Sequence, residues 1–241
     1  MYKQNNMQLF YTPEIVSDII FLTDEESAHC RKVLRLKEGS PLSLTDGKGN
    51  LYRGEIIDIS GKQCSVQIVE TIPNYGKHDF YLHIAIAPTK NIDRLEWFLE
   101  KAVEIGVDEI TPVLCDHSER TIIKPERLEK ILIAAMKQSL KTYLPKLNAI
   151  TPFNNLMNIP FTGKKMIAYC NDEHRIPFQS TYTKGDNALV SIGPEGDFSE
   201  PEIAKALASG FVPVTLGNTR LRTETAGVVA VAYANFINQF N

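Results

Sequence analysis

From residue 80 onward the chain alternates apolar runs of strand length with helical runs, and this alternation restricts the fold more than any other feature. Residues 80–87 (FYLHIAIA) are almost continuously apolar, as a strand buried on both faces requires. In residues 91–105, Leu95, Phe98, Leu99, Ala102 and Ile105 recur at helical intervals, and Gly106 supplies the stop. A strand over 110–114 follows, then a helix opened by Pro125 and running to about Leu140. Strands are expected over 165–169, 188–192 and 212–216, with a helix capped by Ser199-Glu-Pro-Glu202 between the last two. The closing helix runs from Thr223 to Phe240. Its stripe of Val228, Val231, Ala232, Phe236 and Ile237 reads as core, and also as a dimer interface. Such an order predicts an α/β domain on a largely parallel sheet.

The first seventy residues have a different texture. Short strands are expected over 8–11, 18–22, 41–45, 51–59 and 63–71, the last two joined as a hairpin around Gly61-Lys62. Thr23-Asp-Glu-Glu26 has the spacing of a capping box and predicts a short helix to about Lys32. Several strands with one helix imply a small barrel over 1–72. Residues 73–79 read as a linker, and 80–241 as the larger domain.

Composition excludes some classes. With 241 residues, the chain is long enough to bury a core without staples, and its four Cys show no metal or disulfide spacing. The first seven residues lack the apolar run of a signal peptide, and no run is long enough to span a bilayer. These features predict a soluble cytoplasmic protein. The formal charge of −3 argues mildly against a nucleic-acid partner. Locally the picture differs: residues 31–37 (RKVLRLK) carry four cations and no anion, and residues 119–146 carry seven cations against three Glu. Patches of this size can hold phosphates on an acidic protein. For 124–130, where Glu126 and Lys130 are an i,i+4 pair, a solvated helix face is the plainer reading.

The P-loop, the Gly-x-Gly-x-x-Gly fingerprint, Gly-x-Ser-x-Gly and His-Glu-x-x-His are all missing. His78, His83, His117 and His174 show no ligand spacing. Two glycine-bearing junctions remain, each just after an apolar strand: 192–198 (IGPEGDF) and 216–226 (LGNTRLRTETA). Open α/β sheets bind ligands beyond the carboxyl ends of their strands. On chemistry alone, a ligand site and an ordinary turn with a surface pair Arg222/Glu224 are equally good readings.

The order of short motifs favours the first. His29-x-x-x-Val33-Leu34-Arg35 with Gly39, Pro88-x-Lys90 with Arg94, and Lys101-Ala-Val-Glu104-Ile-Gly106 come first. Ser118-Glu-Arg120, Gln138-Ser139 with Pro145, Ile192-Gly-Pro-Glu-Gly196 with Phe198, and Leu216-Gly217 with Leu221-Arg-Thr-Glu-Thr-Ala226 complete the series. Over nearly its whole length the chain resembles the RsmE family of bacterial 16S rRNA uridine-N3 methyltransferases, in the SPOUT (trefoil-knot) superfamily. The resemblance implies a PUA-like, RNA-binding N-terminal β-barrel and a C-terminal SPOUT α/β trefoil-knot methyltransferase domain. It also implies a homodimer, S-adenosylmethionine as methyl donor with no metal, and 16S rRNA of the small ribosomal subunit as substrate. The family's target is uridine 1498 in bacterial rRNA numbering.

By the same resemblance the cofactor pocket is lined by Tyr169, Cys170, Ile192, Gly193, Pro194, Glu195, Gly196, Leu216, Gly217, Leu221, Arg222 and Thr223. Uracil N3 must lose a proton to become a nucleophile, so a base or a cation facing the developing anion is required. Arg222 is the first candidate cation, with Arg94 or Lys90 assisting. Glu195 and Glu224 are candidate bases, although Glu224 also suits the first turn of a helix through its dipole. Arg31, Arg35, Lys90, Arg94, Arg120 and Lys141 are the expected RNA contacts, while His29 is structural or a further contact. Asp197 departs from the family, which usually has a second Gly there. Two other enzyme substrates (another rRNA site or a tRNA) and a non-catalytic assembly factor are the alternative readings.

Overall fold

The computed structural model describes residues 8–170 and 175–240. The opening heptapeptide and His174 therefore lie outside the described residues. The chain divides into two compact units, Met1–His78 with Ile133–Leu144, and Asp79–Leu132 with Pro145–Asn241. Residues 133–144, expected within the larger domain, thus group with the N-terminal unit. Thr45 Oγ1 and Gly49 N–H bind the Thr142 carbonyl, and Lys48 bridges Tyr143. Nothing in the local period of a helix announces these contacts.

In the first unit, β1 (Leu9–Tyr11), β3 (Pro41–Thr45), β4 (Leu51–Asp58), β5 (Ser65–Ile72) and β2 (Ile19–Phe21) lie side by side in that order. All pairs are antiparallel except β1 with β3. The alternation in β4, buried at Tyr52, Gly54 and Ile56 and exposed at Arg53 and Glu55, sends one face inward. There Phe10, Leu22, Leu44, Ile56 and Val66 form the core with Cys30 and Cys64. Each large side chain so buried contributes roughly 1.5–3 kcal/mol.

The helix after Thr23 has the expected length but changes type along the way. α1 (Asp24–Ala28) gives way to a π-helical turn over His29–Val33, and Arg35 then takes a left-handed conformation (φ 52°). Half of the capping box forms: Thr23 Oγ1 accepts the Glu26 N–H at 3.2 Å. The Glu26 carboxylate turns away, accepting the Tyr11 N–H at 3.3 Å and pairing with Lys137. A buried carboxylate is better served by a cation than by its own N-cap amide.

The second unit carries the sheet β11 (Ile176–Pro177), β13 (Val212–Thr215), β10 (Lys164–Ala168), β12 (Ala188–Ile192), β6 (Leu82–Ile86), β7 (Glu109–Leu114) and β8 (Lys146–Leu147), in that order and parallel throughout. β9 (Thr151–Pro152) pairs with the far end of β7. Strands β6 and β12 are buried at every position, which explains runs that are apolar except for His83 and Ser191.

Helices α2 (Ile92–Ile105), α6 (Glu200–Ala208) and α7 (Thr223–Phe240) match expectation closely. Ser199 and Glu202 close a complete capping box at α6. α3 (Pro125–Gln138) opens at its proline. α7 packs on α2 and β6, and the Asn235 side chain binds the Gly106 carbonyl. Of the α7 stripe, Val231 and Ile237 are core, whereas Phe236 is 59% exposed. The short elements β8, β9, β11, α4 (Phe153–Met157) and α5 (Phe178–Thr181) had no sequence signal. Two to five residues hold no period.

Candidate functional site

The carboxyl ends of β10, β12 and β13 open into two adjoining cavities of about 440 and 360 Å³. Ala168, Cys170, Arg220, Leu221 and Ala226 line both, so they form one continuous cleft. Tyr169, Leu216 and Gly217 border the larger cavity. Ile192, Gly193, Pro194, Glu195, Arg222 and Thr223 border the smaller, together with Arg94.

Two glycines explain how the backbone reaches this cleft. Gly217 has φ 141°, a region closed to L side chains, and faces open space where a Cβ would stand. At Gly193 a Cβ would meet the Phe198 ring at 3.0 Å, so only glycine fits without displacing that ring. Cross-bonds then fix the loops. Thr223 Oγ1 donates to the Gly193 carbonyl (2.9 Å), and Tyr233 Oη donates to the Leu216 carbonyl (3.3 Å). Lys90 N–H donates to Glu195 Oε1 (3.0 Å). Residues 218–221 form no backbone hydrogen bond among the described residues, leaving their N–H and C=O groups available.

Gly196 departs from the expected lining. It packs against His117, whose Nδ1 lies 3.0 Å from the carbonyl oxygens of both Gly196 and Asp197. Two carbonyls can only accept, so Nδ1 carries the proton. His117 is thus a brace for the loop. Its partners are some eighty residues away, out of reach of spacing arguments.

The charged candidates fall into three groups. Arg222 is exposed, and its guanidinium has no partner among the described residues. Arg94 Nε lies 3.9 Å from Glu224 Oε1, while Glu224 Oε2 is buried without a hydrogen-bond partner among the described residues. Lys90 and Arg120 are partly committed: Lys90 pairs with Glu119 (2.8 Å), which raises its pKa, and Arg120 holds the carbonyls of Thr89 and Lys90. Arg120 therefore shapes the loop beside Arg94.

Arg220 and Arg175 were not among the expected residues, although both border the larger cavity. Arg220 stands two positions from the motif arginine, in a segment where no periodicity marks which side chain faces inward. The Cys170 thiol is pushed up, first by desolvation and then by the Asp197 carboxylate.

In the first unit, Arg31 donates to the carbonyls of Gly61 (2.5 Å) and Lys62 (2.7 Å) and closes the β4–β5 hairpin. Lys32, Arg35 and Lys37 are exposed, whereas Lys141 is half-buried and has a partner. The described residues contain no group of His, Cys, Asp and Glu able to hold a metal ion.

Comparison with known proteins agrees with this architecture. Residues 77–235 match the RNA methyltransferase domain family, and residues 22–69 match the RNA methyltransferase PUA domain. The fold is that of a SPOUT, trefoil-knot RNA methyltransferase with a PUA-like N-terminal unit. The chain is 30% identical to the ribosomal RNA small subunit methyltransferase E of Buchnera aphidicola subsp. Acyrthosiphon pisum, over 90% of this chain and 87% of that one. A probable rRNA-methyltransferase from Porphyromonas gingivalis superposes with a TM-score of 0.90 at 43% identity, covering 96% of this chain and 98% of that one. Ribosomal RNA small subunit methyltransferase E from Neisseria gonorrhoeae, solved bound to S-adenosyl methionine, gives 0.86 at 27% identity, covering 98% and 100%. The chain belongs to the ribosomal RNA small subunit methyltransferase E family.

Proposed function

We propose that the chain transfers a methyl group from S-adenosylmethionine to N3 of a uridine in 16S rRNA, the family's uridine 1498. The observation that carries this reading is the cleft itself: free backbone groups of 218–221 and two glycine-shaped loops lie beside Arg94, Glu195 and Arg222. A nucleoside with an amino-acid tail needs a wide pocket lined by backbone donors and acceptors, and the residues present fit it. Tyr169, Leu216, Gly217 and Leu221 would hold it in the larger cavity, with Ile192 to Pro194 in the smaller. When bound, the sulfonium supplies an activated methyl carbon and leaves as a neutral thioether.

The chain's own task is to make N3 nucleophilic. As N3–H loses its proton, negative charge spreads onto the uracil carbonyl oxygens, and the unpartnered Arg222 faces that charge. Arg94 is held from behind by Glu224 and adds a second cation. Glu195 has one oxygen on the Lys90 amide and one left to accept the proton. The exposed cations of 31–37 supply phosphate contacts.

We further propose a homodimer that buries the exposed Trp97 of α2 and Phe236 of α7, working in the cytoplasm where small ribosomal subunits are found. Labelled methyl transfer to naked 16S rRNA, small subunits and bulk tRNA tests the substrate, with the product nucleoside identified by mass spectrometry. N3-methyluridine in 16S rRNA is the expected result, and label in tRNA alone overturns it.

A further inference from the structure

The family resemblance places a second glycine where this chain has Asp197, and the structure shows what the aspartate does. Asp197 takes a left-handed conformation (φ 62°), the region a glycine would occupy. Its Oδ2 accepts the Cys170 N–H at 2.8 Å, and its Oδ1 accepts the Phe198 N–H at 2.9 Å. The carboxylate thus ties the loop after β10 to the loop after β12, beside a residue that lines both cavities. Asp197 itself lines the smaller cavity, is half-buried, and has no cation in contact among the described residues.

Two backbone amides satisfy two of a carboxylate's roughly four acceptor directions and stabilise its charge without neutralising it. A half-buried negative charge in the wall of a ligand cleft, with no cation in contact among the described residues, is complementary to a cationic ligand. We propose that Asp197 is the counter-charge for the sulfonium of the methyl donor, so that the cleft favours donor over demethylated product. The inference rests on the reading that this cleft binds S-adenosylmethionine. Methyl transfer removes the sulfonium charge. S-adenosylhomocysteine therefore keeps the same shape but loses this attraction, which promotes its release.

Calorimetric titration of both nucleosides into the full chain tests this, using wild type, Asp197→Asn and Asp197→Gly. Asparagine keeps the size, an acceptor oxygen and tolerance of positive φ, while glycine relieves the backbone altogether. Both variants are expected to weaken S-adenosylmethionine about tenfold and S-adenosylhomocysteine less than about twofold, as loss of a charge-assisted contact requires. Raising the salt concentration should narrow the wild-type preference and leave the variants unchanged. Equal weakening of both nucleosides reduces Asp197 to a latch between loops and overturns the proposal, as does an unchanged ratio. If wild type binds neither nucleoside, the cofactor reading itself falls.

Discussion

The two ends of the parallel sheet in the second unit handle charge in opposite ways. At the amino ends of β6 and β7, the polar side chains pair with one another. His83 Nε2 lies 2.7 Å from Thr111 Oγ1, and Glu109 receives Tyr81 Oη, Lys146 Nζ and Asn148 Nδ2. These donors and nearby His83 hold the Glu109 carboxyl at about 2, against the opposing pull of its burial. At the carboxyl ends, among the described residues, Arg222 has no partner, Asp197 has no cation in contact, and Glu224 Oε2 is buried without a hydrogen bond. Both ends are polar by composition. Only the unmatched end has anything left to offer a ligand, which is why a list of charged residues does not by itself locate a site.

Mutation should separate the ends cleanly. Arg222→Ala is expected to lower turnover by about a thousandfold, the scale of losing one preorganised transition-state contact, with calorimetric affinity for S-adenosylmethionine nearly retained. Equal loss of both would make Arg222 a binding residue and blur the contrast. At the matched end, Glu109→Gln should cost about 3 kcal/mol of stability in denaturant titrations, because Lys146 and Tyr81 lose a charged acceptor. Turnover of the folded fraction should not change. A loss of turnover without a loss of stability would break the comparison.

The pH response follows from His83, whose pKa burial lowers to about 4, with Glu109 opposing in part. Below about 6.5 the unfolded chain takes up a proton that the folded chain refuses, so stability falls as pH drops from there toward 4. The loss should approach roughly 3 kcal/mol, and His83→Gln should flatten the curve over that window. Glu109 adds a second decline between about 4.5 and 2, where the unfolded carboxyl is already protonated and the folded one is not. The smallest effect belongs to the first unit. Replacing Lys32 and Arg35 by Ala should flatten the salt dependence of RNA binding by roughly 0.7–0.9 per lost phosphate contact. Arg31→Ala should act instead on thermal stability, since its guanidinium closes a hairpin.

Legibility of the fold in the sequence tracks the range of the interactions. β12 and α7 have the bounds their patterns predict, because a strand buried at every position and an 18-residue helix write themselves into composition. Glu26 shows the opposite case: its spacing predicts a capping box, but its carboxylate serves Lys137, 111 positions away. The cleft was legible as two glycine junctions after two strands. Gly196 was misplaced within it, because His117 fills that side. Arg220 escaped notice because an irregular segment gives no sign of which side chain faces the cleft.

The hydrogen bond from Thr223 to the Gly193 carbonyl, with α7 laid against β6, has a consequence for biosynthesis. The strand that begins the second unit receives its covering helix only after about 140 further residues have been made. Until then the Leu216–Thr223 wall does not exist, and the nascent chain has no complete cleft. The first unit is complete earlier, once Ile133–Leu144 has been made, so it can fold before the cleft of the second closes.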